Sequence, residues 1–429
     1  MKTSISRRQF LVRALETGAA ATACNLCLFP LRGADAPSNK IAIGCIGVGE
    51  HGTNRNLRML LPQPDARVRA VCDVFRDRVE DAQGLVNHTY QDSDCRATGD
   101  FREILDAKDI DAVMISTPDH WHVTMSVMAM RAGKDVICEK PTLTIAEGKL
   151  LVETVRRHKA VFQTSTEDRS MECYHRMAEL VRNGMIGDVE RVEVELPSGN
   201  RYPHENPCPV PDGFDYDMWL GPAPEAPFTA NRTERMHWRQ QWDYSGGLLT
   251  DWGMHQLDTV QLALGKERTG PVKVEGKGSV HEGSMFNAFI DYEVVYTYAD
   301  GLRVQVKSGG TSLRFFGSKG SVGNASWAQP LEASRPELLT WAPGADDIHL
   351  PTHPGAEHRS FLDAVHARTD PYFPAEDGHR CATLCHLGNI AMLLGRPLAW
   401  DPEKERFIDD DEAQKNMMYQ RQARAPWTI

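Results

Sequence analysis

Ile41-Ala-Ile-Gly-Cys-Ile-Gly47-Val-Gly49-Glu-His-Gly52 decides how the first half of this chain folds. An apolar strand runs straight into a glycine turn. The first glycine permits the sharp turn, the second lets a backbone approach a pyrophosphate, and the third lets the next helix pack closely on the strand. The helix then points its free N–H groups at the phosphates. The chain has 34 glycines, so the G-x-G-x-x-G pattern alone is weak and its surroundings must decide.

Those surroundings agree. Thr53 to Leu61 reads as a helix halted by Pro62, and Val68-Arg-Ala-Val-Cys-Asp73 reads as a second buried strand ending in an acid. Asp73 falls where a carboxylate binds the adenosine ribose hydroxyls, which favours NAD; Arg76 nearby leaves NADP possible. Asp111 to Thr117 is a third strand, and His120 to Ala132 a helix closed by Gly133. Strand Asp135–Cys138, helix Ile145–His158 and strand Ala160–Thr164 follow. This alternation predicts a doubly wound parallel Rossmann sheet over 37–165, with ligands at the carboxyl ends of its strands. Lys140 lies at such an end, between Glu139 and Pro141, where a partly desolvated lysine can exchange a proton with a hydroxyl.

Residues 1–36 read as an address rather than part of the fold. Ser6-Arg7-Arg8-Gln-Phe10-Leu11 is a twin-arginine start, followed by apolar Leu15–Phe29 and a cleavage-like Ala34-Asp-Ala36. The expectation is export in folded form, to the periplasm. No free NAD pool exists there, so a cofactor carried out must be restored on the enzyme. The segment holds five basic and two acidic residues, so its removal takes the formal charge from −11 to −14. An acidic chain without a basic stripe argues against nucleic acid, and no other stretch is apolar enough for a membrane span. The cysteines read as free thiols. Cys381, Cys385 and His386 have helical spacing but read as helix core, so no metal is expected.

The pattern changes after Gly187. Val189–Glu195, Phe289–Tyr298, Leu302–Val306 and Ser312–Phe316 alternate with period two, and Asp300-Gly301 is a hairpin turn. They predict a second α/β domain over 166–400 with an open, mainly antiparallel sheet, then a charged tail, 401–429, without readable chemistry. Tyr202–Phe228 holds seven prolines in 27 residues and five aromatic rings, and reads as an ordered loop over the pocket. Gly246 to Gly265 reads as a helix carrying Asp251, His255 and Asp258 on one stripe, where an i, i+4 carboxylate can hold and charge the imidazole.

The glycine turn, Thr117-Pro-Asp-His-Trp-His122, Ala132-Gly-Lys-Asp-Val and Glu139-Lys-Pro141 stand in an order and spacing that resembles the Gfo/Idh/MocA oxidoreductases. The resemblance implies that Lys140 is catalytic, that Thr117, His122 and Glu139 line an NAD(P) site with Gly47, Gly49, Gly52 and Asp73, and that Asp251 and His255 complete the catalytic set. It also implies that the second sheet can serve as a homo-oligomer surface. The expected reaction is hydride transfer between a carbohydrate or polyol carbon and a tightly held nicotinamide. Lys140 and His255 share proton transfer and polarisation, in an order the sequence leaves open. Trp238, Trp242, Tyr244 and Trp252 are candidates to stack on a sugar face. The alternative is a redox-neutral, NAD-dependent glycosidase; the relatives of that kind carry Glu-Val-Pro where this chain has Glu139-Lys-Pro141. A non-catalytic nucleotide-binding protein is disfavoured by the joint presence of Lys140, Asp251 and His255.

Overall fold

The computed structural model describes residues 40–353 and 356–429, and Lys40–Ile429 forms one compact unit. The twin-arginine segment lies outside the described residues. Six strands, β1 (Ile41–Ile46), β2 (Ala66–Cys72), β3 (Arg96–Thr98), β4 (Ala112–Ile115), β5 (Asp135–Glu139) and β6 (Phe162–Ser165), form an all-parallel sheet ordered 3-2-1-4-5-6. β4 is buried at all four residues, as a strand covered by helices on both faces must be. Strand order reverses between β1 and β4, and there the carboxyl ends open a crevice. The helix after the glycine turn differs slightly from expectation. Gly52–Leu57 is π-helical and passes into a short α-helical turn, Arg58–Leu60.

The second sheet has nine strands. They are β7 (Val189–Leu196), β8 (Lys273–Ser279), β9 (Asp291–Thr297), β10 (Arg303–Ser308), β11 (Leu313–Gly317), β12 (Gly320–Asn324), β13 (Glu332–Ala333), β14 (Leu398–Asp401) and β15 (Arg406–Phe407), ordered 13-12-11-7-10-9-8-14-15. Only β7 and β10 pair in parallel; the other pairs are antiparallel. The predicted β9–β10 hairpin turns at Gly301 (φ +87°), with Asp300 Oδ1 accepting from Leu302 N. Val192, Val194, Val294, Tyr296, Val304 and Val306 form the buried face, covered by helices Glu172–Arg182, Leu248–Leu264 and Ala375–Leu394.

Two C-terminal segments return to the first sheet. Helix Ala356–Ala367 packs on β5 and β6. Helix Ala375–Leu394 approaches so closely that a Cβ on Gly378 would fall 2.2 Å from Thr164 Oγ1. The tail beyond Asp401 is part of the fold rather than a charged appendage: Met418 is fully buried, and Trp427 sits in the first domain's core against Phe101 and Trp121. Among the described residues no helix is long and apolar enough to cross a membrane. The eight cysteines there are free thiols, and Cys381 and Cys385 are helix core, with His386 Nε2 donating to the Thr142 carbonyl.

Candidate active site

A cleft of about 490 Å³ opens at the crevice and runs from the glycine turn to helix Leu248–Leu264. The turn tolerates nothing but glycine at its ends. Gly47 adopts φ +84°, and a Cβ on Gly52 would fall 2.0 Å from the Gly47 carbonyl oxygen. Asp73 Oδ2 accepts from Val48 N at 2.9 Å and Oδ1 from Phe75 N at 3.1 Å, so the acid at the end of β2 also braces the turn. Burial raises the pKa of Asp73, and the charge of Arg78 opposes that. The arginine in this part of the cleft wall is Arg78, not Arg76; Arg76 is exposed.

The loops after β4 and β5 form the middle of the cleft. The buried His122 ring lies 2.8 Å from both the Thr117 and Pro141 carbonyl oxygens, stapling the two loops; in its neutral form it donates to one of them. Burial lowers its pKa. Thr117 Oγ1 lies buried in the wall without a protein partner. Glu139 Oε1 accepts from Asn56 Nδ2 at 2.9 Å and pairs with His51 Nε2 at 2.9 Å, tying β5 to the first turn of the dinucleotide helix. Burial works against its charge, but His51 and Arg55 hold its pKa far below the carboxylate range.

The two domains meet at Lys140. Its Nζ donates to Asp251 Oδ1 at 2.6 Å and to the Asp251 carbonyl oxygen at 2.7 Å. Arg239 Nε, 3.2 Å from Asp251 Oδ2, is a second cation on the same carboxylate. Burial opposes the charge on Asp251, yet Lys140 and Arg239 override it and hold the pKa far down. Asp251 therefore does not hold His255, as its i, i+4 spacing suggested. His255 Nδ1 lies 2.7 Å from Thr166 Oγ1, with Asp168 Oδ1 at 3.6 Å and Glu167 Oε2 at 3.9 Å. Nor is the imidazole charged: burial first, and the positive charge of Lys140 second, push its pKa down to about 4. Burial and the Glu167 charge raise Asp168 well above the usual range, so His255 and Asp168 meet largely as neutral groups. Asp258, the third residue of the stripe, is committed elsewhere, in a bidentate pair with buried Arg169 at 2.7 Å.

Of the aromatic candidates, Trp238 and Trp252 line the cleft, and Arg239 lies over the Trp238 ring at 4.1 Å. Tyr244 does not reach it. It is fully buried against Trp219 and His120, with Arg232 donating to its hydroxyl, because the turn before Leu248 folds it inward. Trp242 packs on Phe289 and is likewise core. Sequence reasoning missed four cleft or site groups. Thr166 directly follows β6, a position the strand-end rule indicates. Arg239 stands beside Trp238 and carried no signal of its own. Trp327 packs edge-on to Trp252 from a loop distant in sequence. Asp119 has Oδ2 buried without a partner, and burial pushes its pKa up to about 7.

Glycine turn, strand-end acid and unpartnered Thr117 hydroxyl fit a dinucleotide, and the comparisons agree. Residues 41–166 match the model of an oxidoreductase family's NAD-binding Rossmann fold, and residues 175–429 match that family's C-terminal alpha/beta domain. Myo-inositol 2-dehydrogenase of Thermotoga maritima is 25% identical over 230 residues, 52% of this chain and 55% of that protein. A glycosyl hydrolase family 109 protein of Saccharopolyspora erythraea is 31% identical over 156 residues. That match spans 35% of this chain and 33% of the relative, so the chain aligns with about half of the first protein and a third of the second. Among solved structures, the WlbA dehydrogenase of Bordetella pertussis, in complex with NADH and UDP-GlcNAcA, has the same fold. Its TM-score is 0.64 at 15% identity, covering 84% of this chain and 99% of that one. With both halves matched in order over nearly all the described residues, the chain belongs to the Gfo/Idh/MocA family of NAD-binding oxidoreductases.

Proposed function

We propose that this protein oxidises or reduces a hydroxyl-bearing carbon of a carbohydrate or polyol. The observation that carries the reading is the meeting of Lys140 with Asp251 at 2.6 Å, in the cleft that holds the glycine turn. NAD, when bound along the turn, supplies the hydride-accepting carbon. Gly47, Gly49, Gly52 and Asp73 would hold its adenosine and pyrophosphate, and Thr117, His122 and Glu139 would frame the nicotinamide end.

The proton chemistry falls to the chain. With the proton of His255 assigned to Nδ1, facing Thr166 and the two acids, Nε2 offers a lone pair to the substrate hydroxyl. His255 is therefore the base. Lys140 uses two N–H groups on Asp251; its third is left to stabilise the negative oxygen that forms as the proton leaves. Asp251, itself held by Arg239, fixes Lys140 in place. Trp238 and Trp252 offer apolar faces to the C–H side of a sugar ring. The inositol dehydrogenase relative and the sugar-nucleotide complex of the structural neighbour support this substrate class.

The test supplies NAD and a panel of polyols and aldoses to the purified protein and follows reduced nicotinamide by its absorbance. His255→Ala or Lys140→Ala should lower kcat/KM by at least about 10²-fold, measured under conditions where circular dichroism shows each variant folded. Full turnover in either variant would refute these roles. The glycosyl hydrolase match favours a second reading, a redox-neutral glycosidase. Aryl glycosides distinguish the two: released phenol with no net reduced cofactor supports the glycosidase. The proposal includes folded export through Arg7-Arg8, tested by fractionating cells that express an Arg7→Lys/Arg8→Lys variant; unchanged export would reject it.

A further inference from the structure

The second domain reaches across the adenosine side of the cleft. Behind β2 the chain is joined edge to edge by part of the proline-rich loop: Arg76 N donates to the Gly213 carbonyl at 2.9 Å, and Asp215 N to the Val74 carbonyl at 3.0 Å. The Phe214 ring lies flat on Phe75, with centroids 3.9 Å apart and planes 7° apart. Phe75 is itself cleft wall, and the Arg78 guanidinium lies 3.8 Å from its ring centroid. Past Phe214 the loop forms the short helix Tyr216–Leu220, whose Met218 and Trp219 also line the cleft.

This crossing is anchored at its far side as well. Trp121 Nε1, from the first domain, donates to the Trp219 carbonyl at 3.1 Å. The C-terminus then latches the loop. Arg424 Nε donates to the Gly221 carbonyl at 2.8 Å, its Nη2 to the Asp217 carbonyl at 2.9 Å, and its backbone N to the Pro222 carbonyl at 2.9 Å. Trp427 seats edge-on against Trp121 at 4.8 Å. A loop pinned at both ends by main-chain bonds cannot swing aside by side-chain rotation alone. A dinucleotide lying under it leaves only when several of these bonds break together.

We propose that residues 213–221, latched by Arg424 and Trp427, belong to the dinucleotide site and hold the cofactor on the protein between turnovers. The inference rests on the reading that the cleft binds NAD(H), and it deepens that reading.

The test loads the full chain with NADH, removes free nucleotide, and follows release by protein-bound NADH fluorescence after excess NAD is added. The wild type should release NADH over minutes or longer. Arg424→Ala and Trp427→Ala should release it at least roughly tenfold faster, an off-rate effect. Phe214→Leu, which keeps an apolar contact, guards against a variant that fails to fold, and circular dichroism checks each. NADH binding with release within the mixing time, or folded variants releasing at the wild-type rate, would overturn the strap. A wild type that carries no nucleotide as purified and also binds no added NADH would overturn the dinucleotide reading along with it.

Discussion

His255 carries the sharpest contrast between spacing and environment. An acid one helical turn away would ordinarily raise an imidazole pKa, but Asp251 is spent on Lys140 and Arg239, while burial and the Lys140 charge drive His255 down to about 4. The unfolded imidazole, near 6.5, binds a proton the folded one refuses. His255 thus contributes stability that is full above about pH 6.5 and is lost as pH falls toward 4. Lys140→Met removes the nearby positive charge and should raise the His255 pKa; an NMR titration of its ring protons that does not move would refute this. Asp251→Asn leaves Lys140 and Arg239 facing one another without their anion. It should destabilise the fold by about 3–5 kcal/mol in denaturant unfolding, as broken buried pairs do.

Helix Leu248–Leu264 shows what a periodic pattern does and does not tell. Asp251, His255 and Asp258 do share one stripe, as the sequence predicts, but each turns to a different partner: Lys140, Thr166 and Arg169. All three partners belong to the first domain or the segment just after it, so the helix acts as the seam between domains. Arg169→Met would strip both Asp258 and Asp377 of their buried cation. A loss of about 3–5 kcal/mol in unfolding is expected, with NADH affinity unchanged. Gly52→Ala should do the reverse. Its methyl group collides with the Gly47 carbonyl, so NADH affinity in a titration should fall at least roughly tenfold while the fold survives.

The whole molecule is two sheets tied together by segments that return. The outer face of the nine-stranded sheet is laced with charge: Lys307 pairs with Glu195 at 2.9 Å, Lys277 with Glu293 at 3.0 Å and Arg191 with Glu193 at 3.1 Å. The homo-oligomer implied by the family resemblance would have to join through charge complementarity if it uses this face. Its association should then weaken between about 0.05 and 1 M salt, as light scattering would read. A salt-indifferent oligomer would place the contact elsewhere. At this scale legibility also falls away. β7, β9, β10 and β11 alternate clearly, but β8 contains Gly276 and Gly278 and is exposed along much of its length, and β13 and β15 have two residues each. Such strands exist because neighbours supply their pairing, and no local pattern records that.

Apart from the grouping of Lys140, Asp251 and His255, which the family resemblance supplied, the sequence by itself determined the parallel sheet and the glycine turn with Asp73. Those features rest on local rules: period, strand-end position and the special conformations of glycine. Only the tertiary structure decided which partner each charged group takes, that Tyr244 is core while Trp327 is cleft, and that the tail from Arg424 to Trp427 closes over the proline-rich loop. Those outcomes depend on which distant segments compete for the same buried space, and on the penalty for leaving a buried charge without its counter-ion.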